Sequence, residues 1–168
     1  ELKDKMKKLY LPQPDEKTGI IPQFDGYFDL KEIDLSVYKN ASVVGTIFHD
    51  YSGEDVQKMQ AGKQAGIVEL LYQMEDITTP DNKAKNYVYY EARTLHDSSL
   101  SKAIHSITAC DLGMEKEAYE MFMSAALTDL GQEMKSSDAG IHSANMGGVW
   151  QDVVMGFGGI RIRDGHLR

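Results

Sequence analysis

Between Ile67 and Gly156 the chain repeats one pattern: apolar residues at helical spacing, then a glycine or proline that stops the run. Ile67, Val68, Leu70, Leu71 and Met74 form the first set, and Pro80 reads as its end. Leu100, Ala103, Ile104 and Ile107 form the second, with Asp97 or Ser98 as cap and Gly113 just past the C-terminus. The third starts near Glu115, turns Ala118, Tyr119, Phe122, Ala125 and Ala126 inward, and stops at Gly131. The fourth starts near His142 and runs through Trp150, Val153 and Val154 to Gly156. Short helices joined by short connectors pack as antiparallel hairpins. The predicted class is mainly α, with a few short β pieces.

The front of the chain is less regular. Leu2, Met6 and Leu9 suggest a first helix, but Pro12, Pro14, Pro22, Gly19 and Gly26 break the stretch that follows. Residues 11 to 50 read as one long ordered loop, with an extended piece or hairpin around Ile20–Phe28. Ser52 with Asp55 resembles a capping box. At the other end, Ile160–Gly165 reads as a strand entering a hairpin that has no returning strand. A start at Glu1 inside a helix and this unfinished hairpin together suggest a segment of a larger protein.

Charge and composition exclude several function classes. A formal net charge of −8 disfavours general nucleic-acid binding and attachment to anionic membranes. A single cysteine allows no intramolecular disulfide and no multi-thiolate metal cage, and fits a reducing, cytoplasmic location. No apolar run approaches the ~20 residues of a membrane span. His49, His96, His105, His142 and His166 include no i,i+4 pair, so no metal site is expected. Cys110 and most of the nine methionines fall at core spacing and read as packing.

Four segments carry ligand-type chemistry, each with a plainer alternative. Ser98, Ser99 and Ser101 crowd a helix start, where free N–H groups and the dipole suit an anion; the alternative is a simple cap. His142 precedes small residues including Gly147 and Gly148, which would let backbone approach a ligand; the alternative is close helix packing. Lys63 and Gln64, between Gly62 and Gly66, either point into a cleft or lie on a solvated face. Gln23–Tyr27 offers an aromatic and a carboxylate, or only a turn.

These segments occur in one order: Lys63-Gln64, then Tyr90-Glu91-Ala92-Arg93-Thr94-Leu95-His96-Asp97-Ser98-Ser99-Leu100-Ser101, then Gly140-Ile141-His142, then Gly147-Gly148-Val149-Trp150 and Gly156-Phe157-Gly158-Gly159. From about Ile21 onward the chain resembles glycoside hydrolase family 65, the maltose, kojibiose, nigerose and trehalose phosphorylases and their hydrolase relatives. The resemblance implies an (α/α)6 barrel followed by a small C-terminal β domain. Residues 1–158 would be the last part of that barrel and 159–168 the beginning of the β domain, with Arg161 and Arg163 at the junction.

The resemblance also implies a reaction. An α-glucosidic disaccharide is cleaved by inorganic phosphate with inversion, giving β-glucose 1-phosphate and a sugar. By position, Ser98, Ser99 and His142, with backbone near Gly147, match phosphate-binding residues, and Lys63 and Gln64 match substrate-binding residues. Phosphate is a co-substrate and no cofactor is implied. The family's catalytic glutamate, in a Gly-Pro-Asp-Glu type motif, is expected upstream of Glu1, so the chain alone is expected to be inactive. Glu91 is expected to pair with Arg93 and to position the loop after it. Leu95 and Asn145 depart from the family pattern and would tune the acceptor-sugar or phosphate contact. A trehalase-like hydrolase of the same family and a non-catalytic helical interaction module stand as alternatives, and a homodimer of the full-length enzyme stays open.

Overall fold

Helix α6, Ser101–Asp111, is the element around which the others are laid. The computed structural model describes residues 1–9, 11–39, 43–74, 77, 79–130, 140–163 and 166–167. Before α6 come α1 (Leu2–Met6), α2 (Ser36–Lys39), α3 (Gly53–Val56), α4 (Gly66–Gln73) and α5 (Pro80–Ala92); after it come α7 (Glu115–Ala126) and α8 (Ser143–Gln151). Two-residue strands, β1 (Ile162–Arg163) and β2 (His166–Leu167), close the chain. The architecture is mainly helical with little strand. Among the described residues no helix is long and apolar enough to cross a membrane.

Each helix forms for a local reason. In α4 the buried residues are Ile67, Val68, Leu71 and Tyr72, one stripe of a helix. In α5 they are Lys83, Asn86, Tyr87 and Tyr90, at the same spacing but largely polar. Pro80 does not end an element; it opens α5 at the first helical position, where its missing N–H costs nothing, and Thr79 caps that end by accepting the Asn82 N–H at 3.2 Å. Helix α6 is buried nearly all round, so its hydroxyls find partners: Ser106 reaches the Ala118 carbonyl and Thr108 the Ile104 carbonyl. Gly113, with φ +71, lets the Met114 N–H bond the Ala109 carbonyl and its own N–H bond that of Cys110. That Schellman turn sends α7 back along α6.

The long front segment is ordered by side chains of α5. Asn86 accepts the Ile21 N–H at 2.8 Å and donates to the Gly19 carbonyl at 2.9 Å, while the Tyr90 hydroxyl donates to the Ile21 carbonyl. Ile20, Ile21 and Tyr27 thereby join the core of α4 and α5. Around Ile20–Phe28 no strand or hairpin forms; the chain makes a 3-10 turn at Tyr27–Asp29 after Gly26 at φ +81. Ser52 and Asp55 do form a capping box, at α3.

Several expectations need correction. Neither Asp97 nor Ser98 caps α6: the chain turns once more, and the helix begins at Ser101 behind Leu100. Tyr119, Trp150 and Val153 are exposed rather than inward, since the small side chains Ala118 and Ala125 hold the close side of α7. After α8 the helix widens into a π turn over Asp152–Phe157 before reaching Gly158. A returning strand does exist: β1 pairs antiparallel with β2, Ile162 opposite Leu167 and Arg163 opposite His166. Gly131, Asp164 and Gly165 lie outside the described residues.

Candidate functional site

The first turns of α6 and α8 and the chain entering α4 surround a cleft of about 410 Å³. Gln64, Ser101, His105, Gly147, Gly148 and Trp150 are among its lining residues. Local backbone positions them. The Gly62 N–H bonds the Arg93 carbonyl at 2.9 Å and its carbonyl accepts the Leu95 N–H at 2.8 Å, which fixes Gln64 next to the loop that leads into α6. A Cβ on Gly148 would meet the Ala103 Cβ at 3.0 Å, so Gly148 allows α8 to approach α6. Gly147 faces open space instead. The glycine pair therefore divides, one residue for packing and one for the cleft.

Of the residues singled out in the sequence, Gln64 and Gly147 meet in this cleft. Lys63 is exposed beside it, outside the lining. Ser98 and Ser99, half-buried, form the turn before α6 and also lie outside the lining. His142 is the residue that opens α8, and it is tied to Asp129: its ring Nδ1 lies 2.6 Å from one carboxylate oxygen and its backbone N–H donates to the other at 2.8 Å. Asn145 is buried and donates to the Ala125 carbonyl at 2.8 Å, linking α8 to α7.

Behind the cleft wall lies a group that spacing in the sequence did not single out. Glu91, at the end of α5, pairs with Lys39 at 2.7 Å, with His105 Nδ1 at 2.5 Å and with His96 Nε2 at 3.1 Å. Arg93 is not its partner; Arg93 reaches Glu32 at 2.9 Å. The Lys39 ammonium also reaches the Glu91 carbonyl. Burial works against ionising Glu91, but the hydrogen bonds of His105 and His96 overcome it and hold the carboxyl well below its ordinary value. Burial pushes His96 down, so its ring is neutral near pH 7. Its Nε2–H then donates to Glu91, and Nδ1 accepts from the Ser101 hydroxyl at 2.9 Å. His96 adopts φ +57, a left-handed backbone that is uncommon outside glycine and is held here by both ring contacts.

Glu91, His96 and His105 place three ligand-type atoms within 4.8 Å of one another. The Lys39 ammonium on the same carboxylate makes this an ion-pair network rather than a cation cage. It holds Ser101 and His105, both lining residues, in fixed orientations. Cys110 is half-buried, and burial pushes its thiol up to about 11, away from nucleophile chemistry. An amide, a hydroxyl, an imidazole and an indole around an open glycine suit a polar, many-hydroxyl ligand more than an apolar one.

Comparison with known proteins agrees with this geometry. The model of the glycosyl hydrolase family 65 central catalytic domain matches residues 1–151. Kojibiose phosphorylase of Halothermothrix orenii is 48% identical over 168 residues, 99% of this chain and 21% of the relative. Kojibiose phosphorylase of Escherichia coli K12 is 40% identical, covering 96% of this chain and 21% of the relative. A solved structure of a candidate kojibiose phosphorylase from the human microbiome superposes with a TM-score of 0.85 at 32% identity, over 99% of this chain and 24% of that one. The chain spans about a fifth of the length of the curated relatives it matches. With the family model covering nine-tenths of its length (151 of 168 residues), the chain belongs to glycosyl hydrolase family 65, as part of the central catalytic domain.

Proposed function

We propose that this chain supplies the sugar- and phosphate-contacting wall of an inverting disaccharide phosphorylase. The observation that carries the reading is the meeting of Gln64 and Gly147 in one cleft of about 410 Å³, in a chain whose relatives include phosphorylases of kojibiose, trehalose and nigerose. Gln64, with Lys63 beside it, would hold the sugar at the cleaved bond. Ser98, Ser99, His142 and the backbone at Gly147 would bind phosphate. Phosphate is already anionic, so it attacks the anomeric carbon without a protein base, while a general acid outside this chain protonates the leaving oxygen. Residues 1–158 would belong to an (α/α)6 barrel and 159–168 to the β domain after it.

The test is made on the full-length protein with kojibiose, trehalose and nigerose in turn, each with and without phosphate. Phosphate-dependent release of β-glucose 1-phosphate from one of them is the expected result. Sugar release without phosphate would instead assign a hydrolase, and no turnover of any α-glucosidic disaccharide would remove the reading. Lys63→Ala and Gln64→Ala are expected to lower kcat/KM for the disaccharide, whereas Ser99→Ala and His142→Ala are expected to raise the phosphate KM first.

A further inference from the structure

Asp129 sits in the turn after α7, its side chain 9% exposed, and faces the start of α8. Both of its oxygens are engaged by one residue. Oδ1 lies 2.6 Å from His142 Nδ1, and Oδ2 accepts the His142 backbone N–H at 2.8 Å. The ring hydrogen bond is the larger reason that this carboxyl is held below its ordinary value. An ionised carboxylate only accepts, so Nδ1 must carry the proton. The opposite ring nitrogen, Nε2, is then left for a ligand, on a side chain 37% exposed. The backbone contact fixes where the ring starts and the side-chain contact fixes which way it turns.

We infer that Asp129 is the positioning residue for His142, presenting Nε2 to phosphate and compensating the charge when that ring donates from both nitrogens. The inference rests on the phosphate reading of His142 and deepens it by naming a residue that touches no substrate. A charge-assisted hydrogen bond contributes about 1.5–3 kcal/mol, which corresponds to roughly 10- to 100-fold in binding.

In the full-length protein, Asp129→Asn keeps an oxygen for the His142 N–H but removes the charge that orders the ring. It is expected to raise the phosphate KM about 10- to 100-fold and leave the disaccharide KM within about twofold. The double variant with His142→Asn is expected to be no worse than His142→Asn alone, because both changes remove one unit. If His142→Asn raises the phosphate KM and Asp129→Asn does not, the inference is overturned while the phosphate pocket stands. If His142→Asn leaves the phosphate KM unchanged, the pocket reading falls and this inference with it. Should Asp129→Asn fail to fold, ring nitrogen-15 shifts of His142 in the unmutated protein decide. A ring protonated at Nδ1 whose Nε2 signal moves with inorganic phosphate supports the inference. A neutral ring protonated at Nε2, or an Nε2 signal indifferent to phosphate, overturns it.

Discussion

Glu91 and Asp152 are both carboxyls packed against α6, and they are held in opposite protonation states. Glu91 meets an ammonium and two imidazoles and stays ionised. Asp152, fully buried, meets the Ser106 hydroxyl at 2.8 Å, and its Oδ2 has no partner among the described residues. Burial pushes its carboxyl up to about 7, with the Ser106 contact opposing. Ser106 also lies 2.7 Å from the Ala118 carbonyl, and one hydroxyl proton cannot serve both acceptors. A protonated Asp152 resolves this, since it donates to Ser106 while Ser106 donates to Ala118. One helix thus carries a charge-compensated network on one side and a proton-dependent neutral contact on another. Depth alone does not decide whether a buried carboxyl is ionised; the number of donors around it does.

Variants of the full-length protein can break this contrast, beginning with the largest effect. Glu91→Ala leaves Lys39 without its carboxylate and His105 without its acceptor, and is expected to cost about 3–5 kcal/mol in urea unfolding. The Glu91 contribution is present above the unfolded value of 4.5 and is lost as pH falls toward its depressed folded value. Wild type and variant should therefore converge in stability at low pH; a gap that persists unchanged below pH 2 would show that packing, not charge, was lost. Ser106→Ala removes the hydroxyl between Asp152 and Ala118 and is expected to cost about 1–3 kcal/mol. Asp152→Asn changes least at acid pH, because amide and protonated acid are near-isosteric. Between the unfolded value of 3.8 and a folded value of about 7, the unfolded state gives up its proton first, so wild-type stability falls as pH rises through that window. The asparagine variant should not show that fall, and parallel curves for the two proteins would place Asp152 among the ionised carboxyls with Glu91.

The sequence was most legible where apolar spacing and turn chemistry coincide. Ile67, Val68 and Leu71 announce α4, and Gly113 announces the hairpin between α6 and α7. Helix α5 was hidden because its inner face is Lys83, Asn86, Tyr87 and Tyr90, which no apolar period detects. Its opening proline was read as a stop, although proline at a first helical position is a start. In the site, the glycines flanking Lys63 and Gln64 were a sufficient signal for Gln64. The network of Glu91, His96 and His105 was not legible, since its members approach only after α5 and α6 pack. The one available signal was a carboxylate in a Tyr-Tyr-Glu run ahead of two histidines, at spacings that match no local motif.

The π turn at Asp152–Phe157 bears on how the chain tolerates insertion and deletion. A π turn holds one residue more than an α turn over the same rise, so it behaves as a one-residue insertion retained within a helix. Removing a single residue there would restore regular winding and rotate everything beyond it by about 100°. Arg161, now 2.6 Å from Asp111 and bonded to the Met155 carbonyl, would swing off both, and the β1–β2 hairpin would leave α6 with it. Relatives that differ in length are thus expected to place their gaps on either side of this turn rather than within it.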